Sequence, residues 1–372
     1  GYKSYAHYVL EERMALSPER VAGFLNDLHN AALPYAKKDL AELKAFAKTK
    51  GFNSTFQSWD QAYYSTKLKA ERFGFKDEQI RPYFELSRVK KGIFDLATKL
   101  FGLTFKKNDK IQVYHKDVEA VEVYNADGSF VGVLYLDFFP RESKRAGAWS
   151  SGFRSQSNVN GTFVHPLRTI VCNFTKPTDK KPSLLSFGEA STFLHEFGHA
   201  LHGLLSRVKY ESLSGTSVLW DFVELPSQLM ENWLYEKEWL DSFVRHYKTG
   251  EKIPAELQDK LLSAKNFRSG SNFEAQLRYG MLDMAWHSIT SATEETVKDF
   301  ETRVVEKTRL LPAVKETAMS PAFSHIFAGG YASGYYSYKW AEVLDADAFS
   351  LFKKHGIFDK KTALSFRTHI LE

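Results

Sequence analysis

The sequence predicts a mainly α-helical protein with a small β-sheet inserted before a helix that carries two histidines and a glutamate. Three observations carry this expectation. From Tyr5 to about Phe105, apolar residues recur every three or four positions, the mark of helices with one buried face. Between about 111 and 175 the spacing shifts to alternation around a turn-forming tetrapeptide. Beyond that, His195-Glu196-Phe197-Gly198-His199 stands within a second helical stretch. The expected organisation is a single region, 1–372, with a helical segment over 1–110, a small sheet over 111–175, and the histidine helix with a helical remainder over 176–372.

Each element has local signals. Ser17-Pro18-Glu19-Arg20 reads as a helix start, with Ser as N-cap and Pro in the first turn. Val21, Phe24, Leu25 and Leu28 mark the buried face of that helix. A further helix is expected from Tyr35 to about Lys50, ending at Gly51, and another pattern runs from Asp77 to Leu103. Asn125-Ala126-Asp127-Gly128 predicts a hairpin turn between strands holding Val121 and Val123 on one side and Phe130, Gly132 and Leu134 on the other. A third strand is expected at 169–174. Ser186-Phe187-Gly188-Glu189 matches a capping box, followed by a core face of Phe193, Phe197, Leu201 and Leu204. From Asp221 onward the pattern is again helical, broken at Gly329-Gly330.

Composition narrows the function classes. Apolar residues make up 43% and charged residues 26%, values ordinary for a globular protein. The 15% aromatic content is high and suits large helical cores or clefts that grip extended ligands. A net charge of +5 is spread among interspersed acids and bases, so neither nucleic acid nor membrane is an expected partner. No apolar run reaches the roughly 20 residues a bilayer span needs. The one cysteine, Cys172, excludes an intrachain disulfide and a thiolate metal cluster, and its apolar setting predicts a buried structural thiol. That fits a cytoplasmic setting, although a disulfide-free periplasmic protein has the same composition. The start at Gly1-Tyr2, without methionine and inside a helical pattern, suggests a fragment or processed product.

The histidine pair carries the chemistry. Residues four apart on a helix lie on one face, so His195 and His199 can reach one metal ion while Glu196 holds a water beside it. HExxH on a helix is the arrangement of zinc hydrolases, with the glutamate as general base. Catalytic zinc takes three protein ligands. A third histidine six residues after His199 would need Gly at 202 and His at 205, but those positions hold His202 and Leu205. His202 lies about 10 Å of helix rise from His195, which suits packing rather than shared ligation. The alternative is Glu224, within Asp221-Phe222-Val223-Glu224-Leu225-Pro226-Ser227-Gln228. Asp221-x-x-Glu224 could be only a capping box, but Phe222, Val223 and Leu225 make the stretch apolar, where an unpaired carboxylate is costly.

Thr192 to Gly203 around the histidines, Leu213-Ser214-Gly215-Thr216 and the Asp221–Gln228 segment together resemble the thimet oligopeptidase family of zinc metallopeptidases. The resemblance is closest to its bacterial peptidyl-dipeptidase (dipeptidyl carboxypeptidase) branch. It runs from Gly1 to Glu372 and includes Arg81-Pro82-Tyr83-Phe84-Glu85-Leu86 and Val171-Cys172-Asn173-Phe174. It implies a mainly α, zincin-like (gluzincin) catalytic region, with one Zn2+ per chain held by His195, His199 and Glu224. It also implies that Glu196 is the general base for a zinc-activated water. Phe323 to Tyr338 is similar to the family's glycine-rich loop, which implies that His325, Tyr331 and Tyr338 stabilise the tetrahedral intermediate. Tyr335, Gly329 and Gly330 would then lie against substrate. Read from the residues alone, Gly329-Gly330 permits unusual backbone and the tyrosines offer neutral donors. The competing reading is that Tyr331, Tyr335 and Tyr338 form an aromatic core stripe on a helix.

Family members are roughly twice this length, which implies that an N-terminal half forming one wall of the substrate channel, and the extreme C-terminus, lie outside this chain. The implied reaction is hydrolysis of short unstructured peptides, with release of C-terminal dipeptides. Rival readings are an endo-acting oligopeptidase of the same family, a non-catalytic zinc-containing peptide-binding fragment, and a catalytic half that needs its missing half. A purely structural zinc site needs no base and usually has four protein ligands, so Glu196 argues against the second.

Overall fold

A computed structural model describes residues 1–372, and the chain divides into two compact units. The first comprises 1–75, 219–222 and 260–340 and is helical. Its longest element is the helix Pro18–Thr49, opened by Ser17, whose Oγ accepts Arg20 N at 3.3 Å. Two helices were expected over this span and one is found, with Pro34 inside it. Proline removes one ladder hydrogen bond, but the buried face runs unbroken past it through Leu25, His29, Ala36, Leu40 and Leu43. That face packs on the helix Ser269–His287, where Leu277, Met281 and Met284 join Val21 and Leu25 in one core. Between the two helices lies a buried polar pair, His29 Nδ1 at 3.0 Å from Glu274 Oε1.

The second unit comprises 76–218, 223–259 and 341–372 and holds the sheet and the histidine helix. The predicted 77–103 helix is interrupted. Asp77–Ile80 gives way to a 3-10 turn at Arg81–Tyr83, and a new helix spans Leu86–Phe101. Pro82 explains the break, and Glu85 restarts the helix by accepting Ser87 N and Arg88 N at 3.1 Å each.

Seven strands follow: β1 (Thr104–Lys107), β2 (Glu119–Tyr124), β3 (Phe130–Asp137), β4 (Trp149–Arg154), β5 (Ser157–Val159), β6 (Thr162–Val164) and β7 (Leu167–Val171). Five form one sheet in the order β1-β2-β3-β7-β4, and β5 and β6 pair by themselves. The β3–β7 pair is parallel and the other pairs are antiparallel. The Asn125–Gly128 turn forms as expected, with Gly128 N donating to Asn125 O at 3.0 Å. The sheet begins at Thr104 rather than near 111, and the third predicted strand shifts to Leu167–Val171. Strands β1, β4, β5 and β6 were not expected because their residues are largely exposed and do not alternate.

The helix Phe187–Leu205 follows β7 as predicted, with both arms of the capping box closed. Ser186 N donates to Glu189 Oε2 at 2.7 Å and Glu189 N to Ser186 Oγ at 3.1 Å. Phe193, Phe197, Leu201 and Leu204 are all buried, so the face opposite the histidines is locked in the core. Cys172 is buried, and burial pushes its thiol well up from the ordinary range. No helix is long and apolar enough to cross a membrane.

Candidate active site

The helix Phe187–Leu205 presents His195 and His199 with ring centroids 4.9 Å apart and planes at 85°. Opposite them stands Glu224, at the N-cap of the helix Leu225–Glu231. Its Oε2 lies 3.2 Å from Nε2 of His195 and 3.2 Å from Nε2 of His199. Glu224 makes no side-chain cap hydrogen bond, and its Oε2 faces the two histidines. Asp221, the other half of the supposed capping box, is buried elsewhere. It accepts Met14 N and Ala15 N at 3.0 Å each and the Tyr336 hydroxyl at 2.6 Å.

The two helices come close because Gly198 allows it. A Cβ at that position would sit 2.4 Å from the carbonyl oxygen of Pro226 and 2.5 Å from Cα of Ser227. No side chain fits there without parting the backbones, and parting them would draw Glu224 away from the imidazoles. The fourth residue of the motif therefore has a structural duty that the ligand pattern does not reveal.

Three acceptor-capable atoms within 4.8 Å of one another form a donor set suited to a cation. Glu224 is 1% exposed, so its charge needs a positive partner. Burial opposes that charge, but both histidines hold the carboxyl well below its ordinary range. Burial likewise works against a charged His195, while Glu224 and Glu231 push its pKa well above the usual imidazole value. Either a proton or a divalent cation supplies the positive charge this triangle requires.

Glu231 was missed by sequence reasoning. Its Oε1 lies 2.8 Å from His195 Nδ1, and Ser191 Oγ donates to its other oxygen at 3.0 Å. If Nδ1–H donates to Glu231, the Nε2 lone pair faces Glu224 and the ring is fixed in the ligating tautomer. Ser227 is a second such support, donating to Glu224 Oε2 at 2.9 Å. A signal for Glu231 existed: it follows Glu224 by seven residues, two helical turns, on the same face. Glu231→Gln is expected to weaken zinc binding about 10- to 100-fold, measured by competition with a chromophoric chelator. An unchanged affinity would remove Glu231 from the site.

Glu196 is 5% exposed and its Oε2 has no hydrogen-bond partner. Burial raises its pKa, and the neighbouring His195 and His199 oppose that rise. A buried carboxylate with a raised pKa and one oxygen without a hydrogen-bond partner suits a proton acceptor. His202 is buried too, and burial, with His199 and Arg168, pushes its pKa down to about 3. It lies outside the cluster of His195, His199 and Glu224.

The remaining predicted residues gather in the first unit. His325 lies on the short helix Ser324–Phe327, exposed, and Tyr331 N donates to its carbonyl at 2.9 Å. Gly330 takes a φ of +88° between them, a conformation that favours glycine. Tyr331 and Tyr338 stack at 5.1 Å with planes 12° apart, and His325 lies 6.0 Å from Tyr331. Tyr335 is buried, with its hydroxyl donating to Gln276 at 3.1 Å. Tyr331 and Tyr335 precede the helix Ser337–His355, so no single helix carries the three tyrosines. They do share an apolar core: Tyr335 is buried with Phe323 and Ile326, and Tyr331 and Tyr338 pack against that cluster.

Comparison with known proteins agrees with the resemblance read from the sequence. The family described as Peptidase family M3 matches residues 1–372. The chain belongs to peptidase family M3. Its relatives include oligopeptidase A of Salmonella typhimurium, 42% identical over 375 residues, covering 100% of this chain and 55% of that protein. Dipeptidyl carboxypeptidase of Escherichia coli is 38% identical over 374 residues, with the same coverage of 100% and 55%. Saccharolysin of Saccharomyces cerevisiae is 33% identical over 387 residues, covering 100% of this chain and 54% of the yeast protein. The chain thus spans about half the length of the curated relatives it matches.

Proposed function

We propose that this M3 chain is the catalytic region of a zinc-dependent peptidase that hydrolyses short, unstructured peptides. The observation that carries the reading is the meeting of His195, His199 and Glu224 around one point, with the unpaired carboxylate oxygen of Glu196 on the same helix. His195, His199 and Glu224 would hold the ion. Zinc bound there would supply Lewis acidity, lowering the pKa of the attacking water toward about 7 and polarising the carbonyl.

This chain's own residues do the rest. Glu196 takes a proton from the water as it adds to the scissile carbonyl carbon, then delivers that proton to the departing amine. His325, Tyr331 and Tyr338 donate hydrogen bonds to the oxygen that gains charge, each worth a few kcal/mol in such a role. Tyr335, Gly329 and Gly330 lie against the substrate backbone. The remainder of a longer protein would complete the substrate channel. The single buried cysteine suits a cytoplasmic setting.

The finer reading is release of dipeptides from free C-termini, supported by the similarity to dipeptidyl carboxypeptidase. An endo-acting mode is favoured instead by the 42% identity to oligopeptidase A, against 38% to dipeptidyl carboxypeptidase. One assay separates them. A quenched peptide with a free C-terminus and its C-terminal amide are compared as substrates. Amidation is expected to abolish dipeptide release, and equal cleavage of both would establish the endo-acting mode. If neither peptide is cleaved by the zinc-loaded protein, with or without the rest of the longer chain, the peptidase reading itself falls.

A further inference from the structure

The segment between Tyr331 and Tyr338 has an anchor that no motif shows. Asp283 lies on the helix Ser269–His287 and is 0% exposed. Its Oδ1 accepts Ser333 N at 2.8 Å and its Oδ2 accepts Tyr335 N at 2.8 Å. His287, one turn along the same helix, places Nδ1 at 2.8 Å from Oδ1. Each carboxylate oxygen is thus engaged, and two of the three donors are backbone amides from the segment that carries the tyrosines.

That segment needs holding. Ser333 is buried and has a φ of +55°, which is uphill for any residue but glycine. Such a conformation persists only when its surroundings impose it. Upstream, Gly329-Gly330 offers little resistance to movement. Two other buried carboxylates grip neighbouring stretches of the chain. Glu301 accepts Met319 N and Ser320 N at 2.8 Å each, and Asp221 accepts the Tyr336 hydroxyl at 2.6 Å. Of the three, Asp283 is the one that takes the backbone between Tyr331 and Tyr338. A carboxylate suits this post because it can accept at both oxygens, whereas an asparagine would turn an NH2 toward one of the two amides.

We propose that Asp283 is a positioning residue, whose carboxylate fixes the Ser333–Tyr335 backbone so that the flanking tyrosine hydroxyls are held for the reaction. This rests on the reading of His325 and the tyrosines as donors to the tetrahedral intermediate. Misplacing such donors by about 1 Å costs on the order of 10²-fold in rate.

The test uses the zinc-loaded protein, in the longest form that turns over peptide. Asp283→Asn is expected to lower kcat about 10²-fold, with KM and zinc content little changed. Hydrogen exchange of a peptide covering 331–338 should quicken, while that of 269–287 should not. In a background carrying both Tyr331→Phe and Tyr338→Phe, Asp283→Asn should add little further loss, because its effect runs through those two hydroxyls. An unchanged kcat, or a loss that adds fully to that of the double tyrosine variant, overturns the inference. Should Asp283→Asn not fold, Asp283→Glu carries the same comparison, keeping the charge while displacing both oxygens. The underlying reading fails separately: it falls if Tyr331→Phe and Tyr338→Phe both keep full turnover. Tyrosine variants that lose turnover beside a fully active Asp283→Asn would overturn the anchor alone.

Discussion

Glu196→Gln is expected to keep its full complement of zinc and to lose about 10²- to 10⁴-fold in kcat. The substitution preserves shape and leaves His195, His199 and Glu224 untouched, so the ion's site should survive. What it removes is the ability to accept a proton. Stability should move the other way. Glu196 is 5% exposed, and burial raises its pKa, so its charge at neutral pH is a burden on the folded state. An amide carries no such charge, and Tm should hold or rise. Zinc analysis, a quenched-peptide assay and a melting curve on one preparation give all three readouts. Retained turnover would sink the assignment of Glu196 as base. A fall in Tm with zinc loss would make it a structural residue. A protein that only bound peptides would show no difference in turnover between the two forms, because neither would have any.

Much of the candidate metal site was legible in the sequence because its determinants are local. The capping box at Ser186 and Glu189 sets where the helix begins, and the apolar residues from Phe193 to Leu204 set which face is buried. Those two facts leave His195 and His199 on the remaining face. Glu224 could be inferred because a charge in an apolar stretch demands a partner. What escaped detection depends on contacts distant in sequence. Asp283 looks like any helical acid until Ser333 and Tyr335, fifty residues on, bring their amides to it. Gly198 looks like a filler in the motif until Pro226 and Ser227 arrive against its Cα. In the fold, the two helices expected over 17–50 are one despite Pro34, because burial along Leu25, Ala36 and Leu40 outweighs one lost hydrogen bond. Strands β1 and β4 lie on the outer positions of the sheet with exposed side chains, so no alternation betrayed them.

Glu224→Ala is expected to strip the protein of stoichiometric zinc, with a larger loss of affinity than the roughly 10- to 100-fold expected for the outer partner Glu231. Two imidazoles alone provide too few ligands and no negative charge. The helix that begins at Leu225 should persist, since the Glu224 side chain makes no cap hydrogen bond and the Gln228 N to Glu224 carbonyl bond at 3.0 Å needs only backbone. An unchanged far-UV circular dichroism spectrum beside a metal deficit would therefore separate ligation from capping. Added zinc distinguishes the two glutamates further. Excess ion should restore some of the turnover of Glu224→Ala by mass action but none of that of Glu196→Gln, whose defect is in proton transfer. Full zinc content in Glu224→Ala would reduce the 3.2 Å approaches of Glu224 to the histidines to ordinary ion pairing. The third ligand would then have to come from another residue.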